Sequence, residues 1–227
     1  MSEWWTYSLE DFLLFSPRVY WRMFELHNAM VCPLQALTLV CGLVMVALIV
    51  RRSPASRRFV ALVLAILWAF VGWSFLWNRY ATINWAAAYL APAFAGEALL
   101  LFVIGTLIDG LVFCRRGPAA WTGYALLAFA LAGQPLLAPL QGRAWTSSEI
   151  FGVAPDPTSI GTLGFLLLAR SKFLPLLLPI PLLWCSLSGL TLMSMGAPEA
   201  WASFAAVALA LAACIGAIIN EQRPTAR

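Results

Sequence analysis

Long apolar runs broken by short polar punctuation make up most of the chain. They fall at about 30–50, 59–78, 85–113, 119–140, 158–169, 173–195 and 198–219. A helix needs about 20 mostly apolar residues to cross the hydrocarbon core of a bilayer. All the runs reach that length except the fifth. Turn signals separate them at Pro54, Gly117-Pro118, Pro155-Asp156-Pro157 and Ala197-Pro198. The pattern predicts an all-α, polytopic transmembrane helix bundle of about seven spans with a short fifth helix. Residues 1–28 form an amphipathic lead-in, 29–221 the transmembrane domain and 222–227 a short tail. No internal repeat is visible, and an odd number of spans does not divide into inverted halves.

The lead-in has its own periodicity. Ser8-Leu9-Glu10-Asp11 reads as a capping box, and Ser16-Pro17 restarts a helix with Ser16 as cap and Pro17 in the first position. Arg18, Arg22, Glu25, Asn28, Cys32 and Gln35 then recur at steps of three and four, which keeps them on one helical face. Tyr20, Trp21, Met23 and Phe24 supply apolar bulk. This is the signature of a helix lying in the membrane interface ahead of the first span. Asn28 and Gln35 extend the stripe into the bundle, either as interhelical hydrogen-bonding groups or as ligand contacts. The acids Glu3, Glu10, Asp11 and Glu25 argue against a signal peptide.

Composition supports the membrane reading, and charge orients it. The chain is 62% hydrophobic and only 11% charged, against about 25% charged in soluble domains. Ten of its basic residues follow the odd-numbered spans: Arg51, Arg52, Arg57, Arg58, Arg115, Arg116, Arg170, Lys172, Arg223 and Arg227. Only Arg18, Arg22, Arg79 and Arg143 fall on the opposite side. The positive-inside rule then places the N-terminus in the periplasm and the C-terminus in the cytoplasm of a bacterial inner membrane. The same bias favours a fifth segment that crosses. Twelve to fourteen residues reach only about 20 Å, so that helix is expected to start below the outer surface. The partners implied are the lipid bilayer and, for a subunit, another membrane protein. A net charge of +4 placed in topological doublets indicates no nucleic-acid partner.

A few polar groups in apolar surroundings need a reason. Asp156 is placed to cap the short helix, with Pro157 in its first position. Thr158, Gly161 and Gly164 follow at three-residue spacing as a small face for close helix packing. That turn is either a well-made helix start or the lining of an outward pocket. Glu97 lies about 20 Å along the third span from Asn84, near the membrane midplane. There a carboxylate must be protonated, paired or hydrated. It either bonds a neighbouring helix or binds a proton or ligand. Asn78 and Arg79 occupy a short outer loop, from which Arg79 is expected to pair with Asp156 or Glu149. Asp109 is expected to sit at the cytoplasmic interface near Arg115 and Arg116. Trp73, Trp77, Tyr80, Trp85 and Tyr89 read as an interfacial aromatic belt, and Trp4 and Trp5 as anchors on the same surface.

Much familiar chemistry is excluded. His27 is the only histidine, and the five cysteines (Cys32, Cys41, Cys114, Cys185, Cys214) form no CxxC, so no metal site is expected. P-loop, GxSxG and HExxH motifs are absent. No catalytic residue and no cofactor are expected.

Several blocks together resemble a known family. They are Phe24, Leu26, Asn28, Pro33 and Gln35; Trp68 and Trp73 ahead of Ile83-Asn84-Trp85-Ala86-Ala87; Phe151-Gly152-Val153-Ala154-Pro155-Asp156-Pro157-Thr158; Thr162-Leu163-Gly164; and Ile180-Pro181-Leu182-Leu183-Trp184. The chain resembles, over most of its length, a bacterial membrane family catalogued as domain of unknown function 6064. The resemblance implies the fold. In that family a cysteine is common between the two prolines, and Asp156 in its place argues against a metal or redox role. The family name carries no activity. The expected function is an accessory, assembly or partner subunit with a small outward-facing polar pocket. The alternative is a small-solute or proton-coupled transporter using Glu97, with Gln35, Asn78 and Thr158 as lining. A weaker alternative is a membrane enzyme acting on a lipid or quinone.

Overall fold

The structure, a computed structural model, describes residues 14–113 and 116–222. Trp4, Trp5 and the Ser8–Asp11 capping box lie outside the described residues, as do Cys114, Arg115, Arg223 and Arg227. Helix α1 (Pro17–Val31) starts where Ser16 accepts a hydrogen bond from the Val19 amide at 3.4 Å and Pro17 takes the first position. Proline is at no disadvantage there, because that N–H has no helical partner. Tyr20, Met23, Phe24 and His27 recur at helical spacing and form its buried face, while Arg18 and Arg22 stay exposed. At Cys32-Pro33 the chain bends by 86° into α2 (Leu34–Val50). The polar stripe of the lead-in therefore does not run straight on; the bend separates its two ends.

Five helical segments among the described residues are long and apolar enough to cross a membrane: Ser56–Thr82, Ala87–Leu107, Pro118–Leu140, Leu174–Ser194 and Ala200–Ala217. The bent pair α1 and α2 makes a sixth if counted as one span. The corresponding helices are α3 (Ser56–Phe70), α4 (Ala87–Leu100), α5 (Pro118–Ala128) with α6 (Gln134–Leu140), α8 (Leu174–Leu177) with α9 (Pro179–Ser194), and α10 (Ala200–Gln222). Three segments widen to π-helical turns, at Val71–Trp77, Leu101–Leu107 and Phe129–Gly133. The last lies just ahead of Pro135, whose missing N–H interrupts the normal ladder. Large apolar side chains such as Leu43, Ile66, Leu99, Leu107 and Ile215 point outward and are more than half exposed. An outer surface of this kind is suited to lipid.

The short fifth segment is the centre of the molecule. All 14 residues of α7 (Pro155–Leu168) are buried, because α3, α5, α9 and α10 pack around it. A helix buried on every side carries no polar face, which explains its near-continuous apolar sequence after Thr162. Its C-terminal end runs into β2 (Ala169–Arg170), which pairs antiparallel with β1 (Val112–Phe113). This short ladder marks one end of the bundle, here called the sheet end. The loops around Asn28, Arg79 and Arg143 mark the other, the α1 end.

Small residues bring α7 against α5. A Cβ added at Gly164 would lie 2.8 Å from both the Gly123 carbonyl oxygen and the Leu127 Cγ. A Cβ added at Gly123 would lie 2.8 Å from the Gly164 carbonyl. Backbone oxygens cannot step aside as a flexible side-chain tip can. Gly164→Ala is therefore expected to destabilise by about 1–3 kcal/mol, the usual cost of overpacking, read as a lower thermal midpoint in detergent. Gly161 sits differently, with its missing Cβ taken by the Phe151 ring at 2.6 Å.

Exposed aromatics collect at the α1 end: Trp73, Trp77, Trp85, Tyr89, Trp145 and Trp201. Tyr80 is not among them. It is 6% exposed and joins a ring cluster with Phe15, Tyr20 and Phe75.

Candidate functional site

The α1 end contains an open hollow of about 760 Å³, the vestibule. Arg18, Arg22, Glu25, Arg79, Thr82 and Arg143 are among its lining residues. Arg22 and Glu25 form an i, i+3 ion pair at 2.5 Å. Arg79 is half-buried and reaches neither Asp156 nor Glu149; its Nη2 lies 3.2 Å from the Met30 sulfur. The short loop that carries Arg79 points it across the rim toward α1, whereas both acids lie deeper. Asn78 is exposed and spends its amide on the Trp73 carbonyl at 2.8 Å, closing its own helix end.

Asn28 and Gln35 are not among the residues that line this hollow; they bond to backbone instead. The Asn28 side-chain amide donates to the carbonyls of Thr146 and Ser148, both at 2.8 Å. Gln35 donates to the Asn28 carbonyl at 2.7 Å. The pair brackets the bend between α1 and α2 and ties the loop before α7 to it. Their long sequence separation from residues 146–148 made this role invisible in the chain.

Arg143 forms the floor. Its guanidinium lies 3.4 Å above the Trp21 ring and pairs with Glu199 at 2.5 Å. Below it, Gln134 donates to Glu149 at 3.2 Å. A further space of about 10 Å³ touches Gln134, Arg143, Glu149, Glu199 and Ser203, roughly the size needed for one water. Arg143 Nη1 and Gln134 Oε1, a donor and an acceptor, are both buried without a partner. Such atoms usually mark an ordered water.

Asp156 lies deepest. Trp184 Nε1–H donates to its Oδ1 at 2.7 Å. The hydroxyls of Ser188 and Ser203 donate to Oδ2 at 2.5 and 3.4 Å. The carboxylate thus joins α7 to α9 and α10. It does not cap its helix: α7 starts two residues earlier than expected, with Ala154 at the cap and Pro155 in the first position. The turn is closed instead by Thr158, whose hydroxyl donates to the Ala154 carbonyl at 2.6 Å and accepts the Gly152 amide at 2.9 Å. Thr158 is fully buried, and its hydroxyl is committed to this turn.

Glu149 and Glu199 are thereby buried beside Arg143, and Asp156 is buried close enough to Glu149 for its charge to act there. Burial pushes the Glu149 carboxyl well above its ordinary value, the Asp156 charge adds to this, and Arg143 opposes it. The folded protein therefore holds that proton to higher pH than the unfolded chain. The stability Glu149 contributes is present in full below about 4.5, its ordinary value, and is lost as pH rises toward the folded value. Thermal midpoints are expected to fall over that range in the native protein and to fall less in Glu149→Gln.

Glu97 stands apart from this chain of acids. It is fully buried on α4, and neither carboxyl oxygen has a hydrogen-bond partner. One helical turn earlier, Phe94 packs between Trp68 and Trp184, with ring centroids 4.3 and 5.1 Å away. His27 is equally buried, edge-on to Phe75. Among the described residues no group of three or more His, Cys, Asp or Glu side chains could hold a metal.

Sequence reading missed Arg143, Glu149, Glu199, Ser188 and Ser203 as parts of one network. Each is unremarkable in its local sequence, and only tertiary packing joins them. Trp184 stood in a block that carries the family resemblance, yet nothing local revealed its partner.

Neither the curated proteins nor the solved structures contain a match to the chain. Residues 17–223 match the family of unknown function DUF6064. That span takes in α1, the vestibule, the buried acids and every span, so the chain belongs to this family.

Proposed function

We propose that the protein is a non-catalytic accessory or partner subunit of the bacterial inner membrane, with the α1 end in the periplasm and the sheet end in the cytoplasm. Its vestibule would take up a small anionic solute, and its partner would be another membrane protein. The single observation that carries the reading is the vestibule itself. It gathers four arginines against one half-buried acid, Glu25, and is floored by the Arg143–Glu199 pair. A basic hollow with fixed guanidinium groups suits carboxylate or phosphate ligands.

The test is thermal-shift and calorimetric titration of purified protein with citrate, succinate and inorganic phosphate. At least one is expected to bind saturably and to lose about tenfold or more in affinity with Arg79→Gln. If none binds, or Arg79→Gln binds as well as the native protein, the vestibule is not a solute site. Orientation is read by labelling in a cysteine-free background. Thr146→Cys, exposed at the α1 end, should react with an impermeant thiol reagent from outside, and Ser53→Cys should not.

Proton-coupled transport is the second reading. It is favoured by the unpartnered Glu97 carboxyl and by the acids stacked below the vestibule floor. In liposomes it requires solute-dependent proton movement that Glu97→Gln abolishes. Proteoliposomes showing no such movement would leave the subunit reading standing alone.

A further inference from the structure

The sheet end carries a second basic hollow, of about 700 Å³, which the proposed function does not use. Arg52, Arg57, Arg116 and Arg170 all line it, with Ser53 and Asp109. These arginines come from four separate places: the loop after α2, the first turn of α3, the approach to α5, and β2. Asp109, expected near Arg115 and Arg116, shares this hollow with Arg116 and pairs with Arg57 at 3.5 Å. That leaves three guanidinium groups around the hollow without a carboxylate of their own among its lining residues. Topology alone asks only that arginines lie on this side of the membrane. It does not ask that they converge, and convergence of like charge is unfavourable unless an anion lies between them. Both Arg52 and Asp109 are held at positive φ, 53° and 56°, a strained backbone for such residues.

Apolar grooves open from the same arginines. One, of about 360 Å³, shares Arg52, Arg116 and Phe113 with the hollow and continues over Val50, Trp121 and Leu168. The other, of about 450 Å³, shares Arg116 and Arg170 and runs between α5 and α10 past Leu209 and Ala213. A free phosphate would fill the basic hollow and leave both grooves empty. A phospholipid has the chemistry for all three: a phosphate for the guanidinium groups and acyl chains for the grooves.

We infer that the sheet end is a binding site for one anionic phospholipid, with its phosphate among Arg52, Arg116 and Arg170 and its chains in the two flanking grooves. Arg57, already paired with Asp109, borders the site. Trp121, 75% exposed at the groove, would lie along a chain.

Native mass spectrometry of the full chain, delipidated and titrated with phosphatidylglycerol, cardiolipin or phosphatidylcholine, tests this. The anionic lipids are expected to bind at least tenfold more tightly than phosphatidylcholine. Each arginine near an anionic headgroup is worth about fivefold, so Arg52→Gln, Arg116→Gln and Arg170→Gln combined should erase the preference. Because that triple variant also removes topological charge, a second variant changes the same arginines to lysine. It keeps the charge but loses the bidentate geometry, and should weaken anionic lipid binding several-fold. Arg58→Gln, at the same end but not among the residues lining the hollow, should leave the lipid preference unchanged. The site is overturned if phosphatidylcholine binds equally well. It is equally overturned if millimolar inorganic phosphate displaces the lipid completely, or if both triple variants bind like the native protein.

Discussion

Asp156→Ala lowers the stability of the folded protein by about 2–5 kcal/mol. The size follows from what the carboxylate leaves behind. Trp184 Nε1–H and the Ser188 hydroxyl point at it from α9 at 2.7 and 2.5 Å, and Ser203 from α10 at 3.4 Å. Alanine offers no acceptor, and a buried donor without a partner costs about 1–3 kcal/mol. Water cannot make up the loss freely, because Asp156 is 2% exposed and its whole helix is buried. Asp156→Asn keeps one carbonyl acceptor of the same shape and should lose only about 1–2 kcal/mol. Ser203→Ala removes the longest of the bonds and should lose less still. The three variants rank the network by thermal midpoint and by folded yield after gel filtration in detergent. An alanine variant as stable as the native protein would mean that this carboxylate does not hold α7, α9 and α10 together.

Glu97→Leu should go the other way and raise stability by about 1–3 kcal/mol. Glu97 is fully buried, and neither of its oxygens has a partner. A polar group taken out of water without a hydrogen bond carries a cost of that order, and leucine of similar bulk removes it. Tokens of stability surrendered in this way are commonly found where function needs the group. The variant therefore separates two explanations. A more stable protein that has also lost solute-dependent proton movement identifies Glu97 as a working group. A less stable protein shows that the carboxyl has a polar partner, such as an ordered water, in the folded state. Glu97→Gln, which keeps a polar end, should leave stability within about 1 kcal/mol of the native value.

How the two acids differ shows how far local sequence could be read. Both Glu97 and Asp156 stand in apolar stretches, and on that ground both needed a reason. The three donors to Asp156 come from residues 28 to 47 positions away, and no local rule counts such partners. Glu97 has none, and its surroundings could not be known before α3 and α4 packed. Thr158 was legible as part of a helix start, but that its hydroxyl bridges Gly152 and Ala154 was not. Arg79 was placed correctly in a short loop, yet its reach depended on where α1 lay after the 86° bend.

By itself the chain determined its elements and the apolar surface they present. Runs of about 20 apolar residues, proline and glycine punctuation, and an N-terminal stripe at helical spacing require helices in an apolar medium, because each is set by near neighbours. Tertiary structure alone decided which helix is central, that Asp156 faces α9 and α10, that Arg143 takes Glu199, and that four scattered arginines share one hollow. Those outcomes depend on the angles and depths at which helices meet. Such quantities are fixed by side-chain packing between residues far apart in the chain.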